Sequence, residues 1–262
     1  MVKGVAHITK SRLGGLRRIE LYGNPGTPQG RAKAGRKTAN FFRLNPSLAK
    51  ATGFVIRKEI KYPIRSSELA EFIGIILGDG GLPGNHQLTI TFNNKTDYEY
   101  AEYICNILKR LFSLSYYIRK RKDSNGADIV VSSSNLVEFL LKQGLVKGNK
   151  VRNQIRVPNW IDERLEYRIA CLRGLIDTDG SLYFHRYISN SKPYTYLKLC
   201  FTNRSKPLLN FVFNTLSKLN YKVYLNGDSV SIYSMSEVRR YFAEIGTHNL
   251  KHAVRLQKYF AG

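Results

Sequence analysis

Acidic residues are scarce in this chain: across 262 residues, 19 Asp and Glu face 42 Lys and Arg, a formal charge of +23 at neutral pH. An imbalance of that size leaves the fold open but calls for a polyanionic partner. Cysteine is scarcer still. Cys105, Cys171 and Cys200 stand singly inside apolar runs, without metal-ligand spacing. That excludes a disulfide scaffold and a thiolate zinc centre, and the three read as buried, reduced thiols of an intracellular protein. None of the five histidines (His7, His86, His185, His248, His252) sits in a ligand pattern, so surface or nucleic-acid-facing positions are expected for them. No apolar run is long enough to span a bilayer, and the N-terminus lacks the apolar core of a signal peptide. The expectation is an intracellular chain, cytoplasmic or organellar, neither secreted nor held in a membrane.

What is present points the same way. Hydrophobic residues make up 43% of the chain, and its length allows two domains with proper cores. Seventeen Tyr and thirteen Phe, interleaved with Lys and Arg, favour nucleic acid over a bare electrostatic tail.

The most informative feature is a pair of runs. Cys171-Leu172-Arg173-Gly174-Leu175-Ile176-Asp177-Thr178-Asp179-Gly180 is apolar, carries small residues four apart (Gly174, Thr178) and ends in Asp-Gly. Earlier, Phe72-Ile73-Gly74-Ile75-Ile76-Leu77-Gly78-Asp79-Gly80 repeats the design with Gly74 and Gly78. As helices, each run sets its small residues one turn apart on one face, and two such faces approach closely. Packed about a pseudo-twofold axis, they deliver Asp79 and Asp179 side by side. A divalent cation between the two carboxylates would offset their repulsion.

Both runs resemble the LAGLIDADG signature of homing endonucleases, the second closely; the first carries Leu77 where the signature has its first acid. The resemblance covers about residues 66–262 and implies a single-chain, two-motif member. The expected fold is α+β: two pseudo-symmetric αββαββα units packed through their motif helices, with saddle-shaped antiparallel sheets. The expected division is a basic extension over 1–65, a first unit over 66–160 and a second over 161–262.

Residues 1–65 hold fifteen Lys and Arg against Glu20 and Glu59, and are broken by Gly and Pro. That density opposes long helices, leaving a disordered basic tail or an arm along a nucleic-acid backbone. Beyond it the pattern predicts a helix from about 68 to 78 behind a Ser66-Ser67 cap. A strand over 87–93, a helix over 96–113, strands at 115–121 and 128–132 and a helix over 134–143 follow. The second half repeats the order, with Leu197–Lys206 falling on Leu88–Asp97 and its last helix at about 235–245. The path from Asp79 to Phe92 is much shorter than that from Asp179 to Phe201. Only the second half therefore has a full first hairpin, and the two halves should grip DNA unequally.

Strand alternation puts Leu182, Phe184, Leu197, Leu199 and Phe201 on one face. Tyr183, His185, Tyr187, Tyr194, Tyr196 and Lys198 fall on the other, a mixture suited to groove reading. In the first half Arg119 and Arg121 stand at positions that resemble the family's base-contacting pair. The resemblance also implies that Asp79 and Asp179, with the carbonyls of Gly78 and Thr178, hold Mg²⁺ or Mn²⁺. Asn94 and Asn203 would order the attacking water, and Lys150 and Lys251 would support the developing charge. Asp177 is expected to cap or bond within its own helix end.

The function implied is a monomeric, site-specific double-strand DNA endonuclease that hydrolyses phosphodiesters and leaves short 3′ overhangs. The alternative is a non-cutting nucleic-acid-binding protein on the same fold: an intron maturase with intron RNA as partner, or a transcriptional regulator. An intein-embedded domain is not expected, since no splicing Cys or Ser opens the chain and no His-Asn closes it.

Overall fold

The computed structural model describes residues 10–122 and 124–260; His7 lies outside them. Two compact units divide the chain, Met1–Arg57 and Lys58–Gly262. Among its described residues the first contains three helices, α1 (Lys10–Tyr22), α2 (Pro28–Leu44) and α3 (Pro46–Thr52). This corrects the expectation that Gly and Pro keep helices short here, since α2 runs for 17 residues. Pro28 stands at its first turn, where a missing N–H costs nothing, and Thr27 Oγ1 accepts from Gly30 N at 3.0 Å. Gly30 does not break the helix. It lies so close to the Asn24 backbone that a Cβ would overlap it. Phe42 stacks on Phe54 at 4.2 Å, but Leu13, Leu16, Leu44 and Leu48 stay exposed.

The second unit opens with α4 (Ser67–Gly78), capped as expected: Ser66 Oγ accepts from Leu69 N at 3.2 Å. β1 (Gly80–Gly81), β2 (Gln87–Asn93), α5 (Tyr98–Phe112), β3 (Tyr117–Lys120), β4 (Gly126–Ser132) and α6 (Ser134–Lys142) follow. After a short 3₁₀ turn, Asn159–Glu163, the order repeats as α7 (Leu165–Asp179), β5 (Gly180–Ser189), β6 (Lys192–Thr202), α8 (Lys206–Lys218), β7 (Tyr224–Asn226), β8 (Ser229–Ile232) and α9 (Met235–Glu244). The strands form two four-stranded antiparallel sheets, β1-β2-β4-β3 and β5-β6-β8-β7. Residues 58–65 pack on this unit: Lys61 N donates to Phe112 O, and Tyr167 OH donates to Arg65 O.

Alternation builds each sheet's inner face. Leu88, Ile90 and Phe92 of β2 are buried, as are Leu197, Leu199 and Phe201 of β6. β1 is a two-residue stub against the ten residues of β5, so the expected inequality of the hairpins is present.

The centre of the unit is the crossing of α4 and α7. Gly74 abuts the Cys171 backbone and Gly174 abuts the Glu71 backbone, each too closely to admit a Cβ. These two contacts are images of each other under the repeat. Gly78 lies against the Thr178 side chain, its counterpart in the repeat. Little but backbone separates the helices, so their ends come together.

A tenth helix, α10 (Leu250–Phe260), was not foreseen. It lies on the inner face of the second hairpin, where Arg255 Nη1 donates to Leu182 O at 2.9 Å and Phe184 stacks with Tyr259. No helix among the described residues is long and apolar enough to cross a membrane.

Candidate active site at the crossing of the motif helices

Asp179 is the last residue of α7 and Asp79 follows α4, so the crossing carries both carboxylates to one place. Desolvation and the charge of Asp179 push the Asp79 carboxyl up to about 7. Its side chain is reached by solvent, which damps the effect. Burial also raises Asp179, against opposing pulls from Lys150 and from Asn203, whose Nδ2 donates to Asp179 Oδ2 at 2.8 Å. Asp179, Asn203, Lys150, Gly78, Arg204 and Asp228 line a cavity of about 530 Å³.

Lys150 occupies a telling position. Its ammonium donates to the α4 carbonyls of Ile76 (3.2 Å), Leu77 (2.9 Å) and Gly78. Burial lowers its pKa, and the charges of Asp179 and Asp79 work the other way. Lys251, on α10, pairs with Asp97 Oδ1 at 3.0 Å and also lowers the Asp79 carboxyl. Asp97 was not picked out from the sequence. Asn94 Oδ1 is buried without a hydrogen-bond partner. Two like-charged carboxylates brought together at the helix ends, one of them held by an amide, form a hard-oxygen donor set that fits Mg²⁺ or Mn²⁺.

Behind this site lies a buried brace. Glu71 accepts from Tyr103 OH (2.8 Å) and Arg173 Nη2 (2.6 Å), and its Oε1 lies 2.6 Å from His248 Nδ1. Burial pushes the Glu71 carboxyl up, but the bonds from His248 and Arg173 outweigh it and hold it low. Asp177 is fully buried and does not bond within its own helix end, which corrects that expectation. Its carboxylate accepts from Thr247 Oγ1 and from His248 N (2.8 Å), fixing the loop before α10. Glu71, Asp177 and His248 bring ligand atoms within 4.8 Å of one another. The Arg173 guanidinium already supplies the positive charge there, so we read the cluster as structural. A charged residue interrupting each motif helix, Glu71 and Arg173, was the available signal.

Two further expectations are corrected. His252 is fully buried, its pKa pushed down to about 4 first by desolvation, whereas His248 lies at the surface as expected, with its ring held on Glu71. Cys200 is only half-buried because it lies on the outward face of β6, 3.6 Å from Thr202 Oγ1, whereas Cys105 and Cys171 are buried.

The sheet faces carry the remaining candidates. Register pairs Tyr183 with Lys198, His185 with Tyr196 and Tyr187 with Tyr194, so all six share one face. Tyr187 stacks with Tyr194 at 5.4 Å and with Tyr196 at 5.8 Å. In the first sheet Arg119 and Arg121 both engage Asp128, at 3.0 and 2.8 Å.

The raised carboxyls give a testable consequence. A folded Asp79 pKa near 7, above its ordinary 3.8, stabilises the fold fully below about 4 and loses that stabilisation as pH rises toward 7. His252 opposes this between about 4 and 6.5, so the comparison with Asp79→Asn isolates the carboxyl. The Tm of Asp79→Asn relative to the native chain should climb from pH 4 to pH 7. A divalent cation held between the two carboxylates would raise the native Tm far more at pH 8 than at pH 5, by the equivalent of about 3 kcal/mol at a hundredfold excess over Kd. Parallel pH profiles for the two proteins would refute the coupling of the two carboxyls.

A family model described as the LAGLIDADG DNA endonuclease family matches residues 71–237. Among curated proteins, the tRNA-splicing ligase RtcB of Pyrococcus abyssi (strain GE5 / Orsay) is 31% identical over 130 residues, 45% of this chain and 14% of that protein. The glutamine–fructose-6-phosphate aminotransferase (isomerizing) of Methanocaldococcus jannaschii is 29% identical over 123 residues, 46% of this chain and 11% of that protein. The chain thus spans only a small share of either relative's length. Among solved structures, the LAGLIDADG meganuclease I-AabMI bound to uncleaved DNA superposes with a TM-score of 0.52 at 14% identity, covering 76% of this chain and 90% of that one. I-DmoI in complex with DNA and Mn gives a TM-score of 0.43 at 18% identity, covering 69% and 96%. The family match takes in both motif ends, the two sheets and the crossing between them. This chain belongs to the LAGLIDADG DNA endonuclease family.

Proposed function

We propose that this protein is a site-specific double-strand DNA endonuclease, acting as a monomer with one catalytic centre between two pseudo-symmetric halves (about 66–160 and 161–262). The observation that carries the reading is the meeting of Asp79 and Asp179 at one end of the helix crossing. Asp79 and Asp179, with the Gly78 and Thr178 carbonyls, would hold Mg²⁺ or Mn²⁺. A bound ion of this kind supplies an activated water and stabilises the attacking and leaving oxygens. Asn203 is held by its bond to Asp179 and by Ser205 N, which donates to its Oδ1 at 2.8 Å. Its remaining N–H is left to orient the water, and Asn94 Oδ1 can accept from a water on the first side. Lys251, steadied by Asp97, and Lys150 place positive charge where the phosphate would gain negative charge. Tyr183, His185, Tyr187, Tyr194, Tyr196 and Lys198 would meet the major groove on the longer hairpin, and Arg119 and Arg121 on the shorter side.

The first compact unit supports a duplex partner. Glu20 is its only acid, and its cations are distributed over all three helices. We assign it sequence-independent phosphate contact. Replacing Arg18, Arg36 and Lys37 by Gln should leave sequence preference intact and flatten the salt dependence of affinity, by about 0.9 in log–log slope for each phosphate no longer neutralised. A steepness equal to that of the native chain would remove this unit from the interface.

One observation favours the alternative, a binding protein that does not cut. The Lys150 ammonium sits on the Gly78 carbonyl, one of the oxygens assigned to the metal. Such a protein would bind a duplex, or intron RNA if a maturase, without hydrolysis. Incubating the full chain with a randomised duplex library and Mg²⁺, then sequencing the new ends, separates the two. Discrete paired breaks support the endonuclease, and selective retention without breaks supports the binding protein.

A further inference from the structure

The outward faces of the two sheets differ in chemistry at matching positions. In the first sheet, register aligns Thr91, Asp128 and Arg119 across β2, β4 and β3. Asp128 is 4% exposed, yet it lies on the polar face. Its Oδ1 accepts from Thr91 Oγ1 (2.8 Å) and Arg121 Nη2 (2.8 Å), and its Oδ2 from Arg119 Nη2 (3.0 Å) and Nε (3.3 Å). Arg121 Nη2 also reaches Thr91 Oγ1 at 3.2 Å. One sunken carboxylate thus holds two guanidiniums whose side chains remain about half exposed, 54% and 50%. A guanidinium has five N–H groups in a fixed plane, so bonding through one edge leaves the other free and fixes its direction.

The second sheet aligns Cys200, Ser231 and Tyr224 across β6, β8 and β7. Ser231 stands where Asp128 stands, and an aromatic group replaces the first guanidinium. Tyr224 and Tyr233 pack at 5.0 Å, with the Lys198 ammonium 4.8 Å over Tyr233. No charged fork exists on that face among the described residues.

A freely rotating arginine accepts a phosphate, a guanine or a solvent contact. An arginine fixed in plane favours the acceptor pair that matches it, and O6 and N7 of guanine in the major groove present that match. Long side chains also lose rotamer freedom on binding, and a fork already ordered loses less. We infer that Asp128 is the positioning residue that makes Arg119 and Arg121 a rigid guanine-reading pair. The target half-site under the first sheet then carries guanine opposite the pair, and the half-site under the second sheet is read without it. This rests on the reading of the protein as a duplex-DNA binder.

The test is enrichment of randomised duplexes on the full chain at fixed salt, read as binding so that cleavage plays no part. The native chain should enrich guanine at fixed positions in one half of the site. Asp128→Asn, which keeps the shape and removes the charge, should lower discrimination against adenine there by about tenfold or more. The other half-site should be unchanged, because neither arginine faces it. Arg119→Lys, which keeps charge and loses the plane, should act the same way and serves if Asp128→Asn does not fold. Rescue by Asp128→Glu would mark the carboxylate as the operative group. An unaltered guanine preference in Asp128→Asn, or a selected site without guanine, overturns the inference and leaves the DNA reading standing. If the native chain selects no duplex at all, both fall.

Discussion

Asp79→Asn and Asp179→Asn should each lower single-turnover DNA cleavage by about a thousandfold, with duplex affinity unchanged or tighter. The asymmetry between rate and affinity is the informative part. Asparagine has the shape of aspartate and keeps the packing at the end of the crossing, but it removes a formal charge. Metal affinity and the charge stabilisation at phosphorus would fall together. Binding has no such dependence: two carboxylates near incoming phosphates oppose association, so a neutral amide relieves repulsion. The same relief should raise stability, because Asp79 is held in an environment that raises its pKa toward 7. A variant that is more stable, binds as well and does not cut is hard to explain unless the acids serve the chemistry. Retention of cutting in either variant would dismiss the shared centre. An uncut but selectively bound library with the native chain would favour the binding protein, with Lys150 on Gly78 O as its structural basis.

What the sequence made legible was periodic. Small residues four apart announced the crossing, and Gly74 and Gly174 do meet the facing backbones. Period-two alternation put the six hairpin residues on one face, and the register Tyr183↔Lys198 to Tyr187↔Tyr194 keeps them there. What escaped was non-local. The bond from His248 to Glu71 joins residues 177 apart in sequence, and Thr91 with Arg119 converges on Asp128 only because β2 and β3 flank β4. No window along the chain contains either set. The N-terminal helices escaped for another reason. Glycine was weighed as a helix breaker, whereas Gly30 answers to the close backbone of Asn24, a contact visible only in three dimensions.

That distinction between glycine as a local cost and glycine as a contact yields the largest stability effect expected. Within an isolated helix Gly→Ala gains about 1 kcal/mol, because alanine loses less backbone entropy. Gly14 and Gly35 lie in α1 and α2 with nothing within 4 Å of an added Cβ, so alanine there should stabilise the first unit by up to about 1 kcal/mol. At Gly74 and Gly174 the sign reverses. A methyl group would collide with the Cys171 carbonyl or with the Glu71 carbonyl, and neither is the movable end of a side chain. The helices must separate, and the buried brace from Glu71 to Arg173 and His248 is strained with them. Gly74→Ala and Gly174→Ala should therefore each cost about 3 kcal/mol in urea denaturation, at the upper end for overpacking. Cleavage should fall with stability even where the fold survives, since the separation between Asp79 and Asp179 is set by how closely α4 and α7 approach. If alanine at Gly174 stabilised the protein as it should at Gly35, the crossing would not be the close backbone contact that brings the two carboxylates together.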